Sequence, residues 1–86
     1  MGSGGLLRAV EAAAILNSLA IGLSERYART GKLQDLDVAI ALSAAELNLT
    51  PQAHPNRAMI LSILGYQFGR RYTRTGNMRD LMAAIA

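Results

Sequence analysis

The sequence predicts an all-α fold, built as tandem antiparallel helical hairpins of which the second is truncated. When the chain is shifted by 45 residues, residues 15–41 align with residues 60–86 without a gap, and 13 of the 27 aligned positions are identical. Apolar residues recur at spacings of three and four, which is the helical period. The apolar residues are mainly Ala, Leu and Ile, with few aromatics and no Trp, and this composition favours helices over sheets.

Length and composition exclude several classes of protein. A chain of 86 residues forms one domain at most. It has no Cys and a single His, so we expect no disulfide, no metal site and no cofactor. The net charge of +3 is too small for the clustered basic surface of a typical nucleic-acid-binding protein. Since no signal peptide or apolar run of roughly 20 residues is visible, we expect a cytoplasmic protein without a membrane partner.

The chain divides into a short leader and one domain. Residues 1–5, MGSGG, are interpreted as a linker left by cloning, so the domain is expected to cover residues 6–86. Within it, the sequence predicts four helices, at about residues 6–29, 34–48, 55–74 and 78–86. The last of these is about half as long as its counterpart, and an isolated helix of that length is weak.

Each predicted helix pair carries apolar stripes at helical spacing. The first helix has Leu16, Ala20, Leu23 and Tyr27 on one face, with Leu19 beside them, and the third has Leu61, Gly65, Phe68 and Tyr72, with Leu64 beside them. The second helix has an inner stripe of Leu33, Leu36, Ile40, Ser43 and Leu47.

Capping residues support the predicted boundaries. Asn77 is a good N-cap for the fourth helix, whereas Lys32, at the matching position before the second helix, caps poorly. Pro51 is expected to end the second helix. Pro55 suits the first turn of the third helix, with His54 as its candidate cap.

The phrases RYARTG at 26–31 and RYTRTG at 71–76 predict how the first and third helices end. The glycine suits a left-handed stop, the arginines are favoured by the negative end of the helix dipole, and the tyrosine falls in register with the apolar stripe. An aspartate in the first turn of the next helix is expected to pair with the arginine. This helix-end motif consists of Arg26, Tyr27, Gly31 and Asp35, and in the second copy of Arg71, Tyr72, Gly76 and Asp80.

An anion-binding or nucleic-acid-binding surface is the alternative interpretation of the same residues. The two tyrosines could stack on bases. The arginines that could bind an anionic partner are Arg26, Arg29, Arg70, Arg71 and Arg74. This alternative does not explain why an aspartate follows the motif in both copies, so we favour the structural interpretation.

The repeat resembles the tetratricopeptide-repeat family. Leu64-Gly65 followed by Phe68 is similar to the leucine–glycine–aromatic signature of its first helix, and Ala39 followed by Pro51 is similar to the signature of its second. The repeated text around Arg-Tyr-x-Arg-Thr-Gly, with a period of 45 residues, resembles a long-period variant found in large fungal proteins. The resemblance implies an α-solenoid fragment that binds a protein or peptide. Ser43 and Glu46 depart from the family pattern, which has a large apolar and a small residue there.

These observations predict a protein that is not an enzyme. The only His is isolated, so no nucleophile–base arrangement is found. The predicted function is a scaffold module for protein–protein interaction. Leu81, Met82 and Ile85 on the last helix need a surface to cover them, and Met82 replaces the polar Asp37 of the first copy. We therefore expect a homo-oligomer, formed by domain swapping or by end-to-end stacking.

Overall fold

A computed structural model describes residues 2–85, and these residues form four α-helices. The all-α prediction is confirmed. The predicted internal boundaries differ from the observed ones by one residue or less, whereas Met1 and Ala86, which the predicted ranges include, lie outside the described residues. The helices are α1 (Gly2–Thr30), α2 (Leu33–Leu49), α3 (Asn56–Thr75) and α4 (Met78–Ile85).

The first helix begins earlier than the sequence predicts. It starts at Gly2 and so includes residues 2–5, which composition alone assigns to a linker. A glycine disfavours a helix by roughly 1 kcal/mol relative to alanine. Extending an existing helix, however, adds hydrogen bonds without a new nucleation step. The glycine-rich segment is therefore the start of α1 in the structure.

The first and third helices end as the repeated motif predicts. Gly31 has a φ of 71° and Gly76 a φ of 73°, both in the left-handed region that glycine adopts without strain. The Gly31 N–H donates to the Tyr27 carbonyl at 2.8 Å, which closes the last turn of α1. The Thr30 hydroxyl donates to the Arg26 carbonyl at 2.9 Å. The same bonds recur 45 residues later, at the end of α3.

The helix starts also follow the predicted caps. The Asn77 Oδ1 accepts a hydrogen bond from the backbone N–H of Arg79 at 3.0 Å, whereas Lys32 makes no side-chain cap bond. The N-cap of α3 is Pro55 rather than the predicted His54, although His54, one residue earlier, accepts a bond at Nδ1 from the backbone N–H of Asn56 at 3.1 Å. Arg57 then donates to the Leu47 carbonyl in the last turn of α2 at 3.2 Å and to the carbonyl of its C-cap, Thr50, at 3.1 Å.

The core lies between α2 and α3. Successive helices pack on each other, α1 on α2, α2 on α3, and α3 on α4. A buried apolar cluster contains Leu36 and Ile40 from α2 and Ile60 and Leu64 from α3. The inner stripe predicted for α2 is buried or half-buried at every position, so that prediction is confirmed.

The stripe predicted for α3 is wrong in part. Leu61 is 50% exposed, whereas Ile60, Leu64 and Gln67 are buried. The difference arises because α3 packs against α2 as well as α4. The face turned toward α2 is therefore the more deeply buried one.

Candidate functional site

Each helix-end motif contains a two-point ion pair that ties one helix to the next. Arg26 in α1 donates from Nε to Asp35 Oδ2 at 2.8 Å and from Nη2 to Asp35 Oδ1 at 2.7 Å. Asp35 is buried in the first turn of α2, and the Arg26 guanidinium holds the pKa of its carboxyl below the usual range. Arg71 and Asp80 repeat this geometry between α3 and α4, at 3.0 and 2.9 Å.

The second ion pair also reaches the first half of the chain. Arg71 donates from Nη1 to Asp37 Oδ1 in α2 at 3.0 Å. One guanidinium therefore links three helices, α2, α3 and α4. Its hydrogen bonds, first of all those to Asp80, raise the pKa of Arg71.

Arg70 has no arginine counterpart in the first copy, and the structure shows what it contacts. Its guanidinium carbon lies 4.8 Å from the ring centroid of Tyr27 and 5.5 Å from that of Tyr66. These distances are in the range of cation–π interactions. Tyr27, in turn, is partly buried against the core cluster. Arg70 therefore joins α3 to α1 across 43 residues of sequence.

The arginines considered for anion binding are thus largely engaged in contacts within the chain. Arg26 and Arg71 are in ion pairs, Arg70 stacks on tyrosines, and Arg74 donates to the Gly31 carbonyl at 3.4 Å. Of the five, Arg29 alone has no side-chain hydrogen bond, ion pair or cation–π contact with another described residue. The contacts favour the structural interpretation of the motif over the anion-binding one.

The predicted interface residues lie at one end of the molecule, on α4. Leu81 is half-buried, Met82 is 65% exposed and Ile85 is 78% exposed. We call these three residues the α4 face. Behind them α3 and α4 approach closely, because a Cβ added to Gly65 would lie 3.3 Å from the Ala84 carbonyl oxygen.

A second apolar surface lies on α1, where the sequence predicted Leu19 beside the inward apolar stripe and assigned no surface role to Ile15. Ile15 is 61% exposed and Leu19 is 51% exposed. We call these two residues the α1 face. The signal that identifies them is the 45-residue repeat, because their counterparts Ile60 and Leu64 are buried in the core.

A cavity of about 260 Å³ lies between α1, the end of α2 and the start of α3. Asn17 lines it from α1, Glu46 from α2, and His54 from the loop. Glu46 is only 8% exposed, and this burial raises the pKa of its carboxyl. The sequence identified Glu46 as a departure from a family pattern but did not place it in a cavity.

Other kinds of site are not found in the part of the chain that the structure describes. Within it, no group of three or more His, Cys, Asp or Glu side chains is placed to hold a metal ion. Among residues 2–85, no helix combines the length and hydropathy needed to cross a membrane. Comparisons of the chain with protein-family models, curated proteins and solved structures find no match.

Proposed function

We propose that this chain is a non-enzymatic protein–protein interaction module of the tetratricopeptide-like kind, and that copies of it associate end to end. One observation carries the proposal: the four residues of the buried cluster have identical counterparts 45 positions away, and all four counterparts are more exposed. The buried residues are Leu36, Ile40, Ile60 and Leu64, and their counterparts are Leu81, Ile85, Ile15 and Leu19.

The correspondence defines which surface meets which. Within one chain, α3 packs its Ile and Leu on the Leu and Ile of α2. The α1 face carries the same pair as α3, and the α4 face carries the same pair as α2. We therefore infer that α1 of one copy packs beside α4 of the next, as α3 packs beside α2. Two hairpin-like repeats in each chain would then continue as a solenoid through the joint.

The joint between copies is expected to be less polar than the contact within the chain. Asp37 accepts a hydrogen bond from Arg71 inside the chain, but its counterpart is Met82. Within the chain Gln67 donates to Ser24 at 3.4 Å. The joint has no equivalent of this hydrogen bond, because Gly22 stands at the position of Gln67 and Gly69 at that of Ser24.

The expected association is weak and open-ended. Fully burying an Ile or Leu side chain contributes about 1.5–3 kcal/mol, while association itself costs at least about 4 kcal/mol. A joint made mainly by four aliphatic side chains is therefore expected to have a Kd of roughly 100 µM or weaker. Because the two surfaces differ, each added copy leaves one surface of each kind free. Assembly therefore continues beyond a dimer unless the rotation between copies closes a ring.

Two variants with opposite defects test the proposal. Ile15→Asp disables the α1 face and Ile85→Asp disables the α4 face, and both positions are exposed, so the fold is expected to persist. Sedimentation velocity at millimolar concentration should show growth for the original chain and a monomer for each variant. An equimolar mixture of the two variants should form a dimer that stops there, since one intact surface of each kind remains.

Met82→Asp is the matched control on the same helix. It places an aspartate where the first repeat of the chain has Asp37. Since Asp37 pairs with Arg71 within the chain, the new aspartate would lie beside Arg26 of the adjoining molecule. Association should persist and become sensitive to salt. A chain that stays monomeric at millimolar concentration contradicts the proposal. So does growth of the original chain combined with failure of the two aspartate variants to dimerise, which would indicate domain swapping or a two-fold contact instead.

A further inference from the structure

The cavity beside α1 has mostly apolar walls and two ionisable side chains in its lining, Glu46 and His54. Ala13 and Ala14 form part of the wall on α1, and Met59 forms part of the wall on α3. Its volume of about 260 Å³ is close to the lower end of small-molecule sites, roughly 300 Å³. The cavity is therefore suited to a short aliphatic group rather than to a large ligand.

Glu46 has no cationic partner within the described chain. It is more than nine-tenths buried and lines the cavity. Its side chain forms no hydrogen bond or ion pair with any other described residue. His54 lines the cavity, but its Nδ1 accepts a hydrogen bond from the Asn56 N–H, and Arg57 donates to the Leu47 and Thr50 carbonyls and does not line the cavity. A carboxylate held largely out of water without a cation beside it carries a desolvation cost, so a ligand that supplies the cation gains binding energy.

We propose that this cavity binds a short alkylammonium group, with the ammonium paired to the Glu46 carboxylate and the alkyl chain against Ala13, Ala14 and Met59. An ammonium group offers three N–H donors. Asn17, whose amide includes an acceptor oxygen, lines the same cavity from α1. The ligand is either a free aliphatic amine or the side chain of a lysine in a peptide, since both present the same chemistry.

Other ligand classes fit the cavity less well. A divalent cation prefers several oxygen ligands, including more than one carboxylate, and Glu46 is the only acid lining this cavity. An anion would face the Glu46 carboxylate at close range. A purely apolar ligand would leave that carboxylate buried and unpaired.

The experiment uses the full chain and pentylammonium chloride as the probe, followed by amide chemical shifts in ¹H–¹⁵N NMR spectra. Saturable shifts are expected for residues around the cavity, such as Ala13, Asn17 and Met59. 1-Pentanol, which has the same chain without the charge, should bind at least ten-fold more weakly. Nα-acetyl-lysine N-methylamide identifies the source: binding comparable to pentylammonium indicates a peptide lysine, and much weaker binding indicates a free amine.

Two variants locate the charge that is responsible. Glu46→Gln keeps the shape of the side chain and should weaken pentylammonium binding at least ten-fold. Glu11→Gln removes an exposed glutamate of α1 that does not line the cavity, and binding should change less than two-fold. Equal losses in both variants would overturn the proposal, because they would indicate general attraction to an acidic surface.

The pH dependence tests the site without any substitution. Among the residues lining the cavity, Glu46 and His54 carry ionisable side chains. Binding of pentylammonium should weaken as the pH falls through the raised pKa of Glu46, because protonation removes the carboxylate. Binding that is unchanged by pH, equal binding of 1-pentanol, or no saturable shift at all would each overturn the proposal.

Discussion

Replacing Arg71 by methionine tests how far one guanidinium holds the second half of the chain in place. Arg71→Met leaves Asp80 without its ion pair, and the Asp80 side chain is only 6% exposed. Removing one partner of a buried pair costs about 3–5 kcal/mol. Because a quarter of the Arg71 side chain is exposed to solvent, we take the lower end, about 3 kcal/mol.

A loss of this size is easily measured. For a domain of this length each kcal/mol shifts the melting temperature by about 4–8 °C, so a decrease of about 12 °C or more is expected. Urea denaturation followed by circular dichroism gives the free energy of unfolding directly. Arg74→Met is the matched control. Arg74 is exposed and its described hydrogen bond is a long one, 3.4 Å, so the expected change is within about 0.5 kcal/mol.

A double variant separates the lost ion pair from the stranded charge. Adding Asp80→Leu to Arg71→Met removes the unpaired carboxylate and should recover much of the lost stability. If Arg71→Met unfolds at the same urea concentration as Arg74→Met, Asp80 does not depend on the ion pair and the reasoning is refuted. If the double variant is no more stable than Arg71→Met, the loss has a cause other than the buried charge.

Four further substitutions probe other parts of the fold. Glu46→Gln should stabilise the protein at neutral pH. Because burial raises the pKa of Glu46 in the folded state, the ionised carboxyl destabilises the fold above that pKa, and this destabilisation disappears as the pH falls below the usual carboxyl range. Thermal denaturation of both proteins as a function of pH measures the difference. Gly76→Ala should lower the free energy of unfolding by about 1–2 kcal/mol because of its left-handed φ. In Gly69→Ala, a helical glycine with open space around its Cβ position, the same measurement should show a gain of about 0.5–1 kcal/mol. Arg70→Gln should cost about 1 kcal/mol in urea denaturation through loss of the stacking on Tyr27, and an unchanged midpoint would show that the 4.8 Å contact contributes nothing.

The helix ends could be predicted from the sequence because the contacts that form them are local. The bond from Gly31 to Tyr27 spans four residues, and the ion pair from Arg26 to Asp35 spans nine. Residue types and spacing are enough to identify such contacts. The same reasoning separated Asn77, which caps its helix, from Lys32, which does not.

The surface of α3 could not be predicted in the same way. Its burial depends on which helices lie beside it, and the contact of Arg70 with Tyr27 joins residues 43 apart in sequence. The apolar stripe of an amphipathic helix does not specify two neighbours at once. This is why Leu61 is exposed although the stripe includes it, and why Gln67 is buried although the stripe omits it.

The environment of Glu46 depends on still more distant relationships. The cavity walls come from α1, α2, the loop after α2 and α3, so no single stretch of sequence contains them. The exposed Ile15 and Leu19 are a different case. The 45-residue repeat identified them as equivalents of Ile60 and Leu64, but their exposure follows from having no α-helix packed against that side within the described chain.

The three-way contact of Arg71 has a consequence for the cooperativity of unfolding. In arrays of helical units, cooperativity is set by the coupling between neighbours. Asp37 and Asp80 share one guanidinium, so ordering Arg71 against either aspartate prepares it for the other. Of these two bonds, the one to Asp37 is the more exposed, since the Asp37 side chain is 49% accessible, and salt screens exposed pairs more than buried ones. High salt should therefore uncouple α3–α4 from α1–α2 before it dissociates α4 from α3, and amide exchange at 1 M salt should resolve two opening units where low salt shows one.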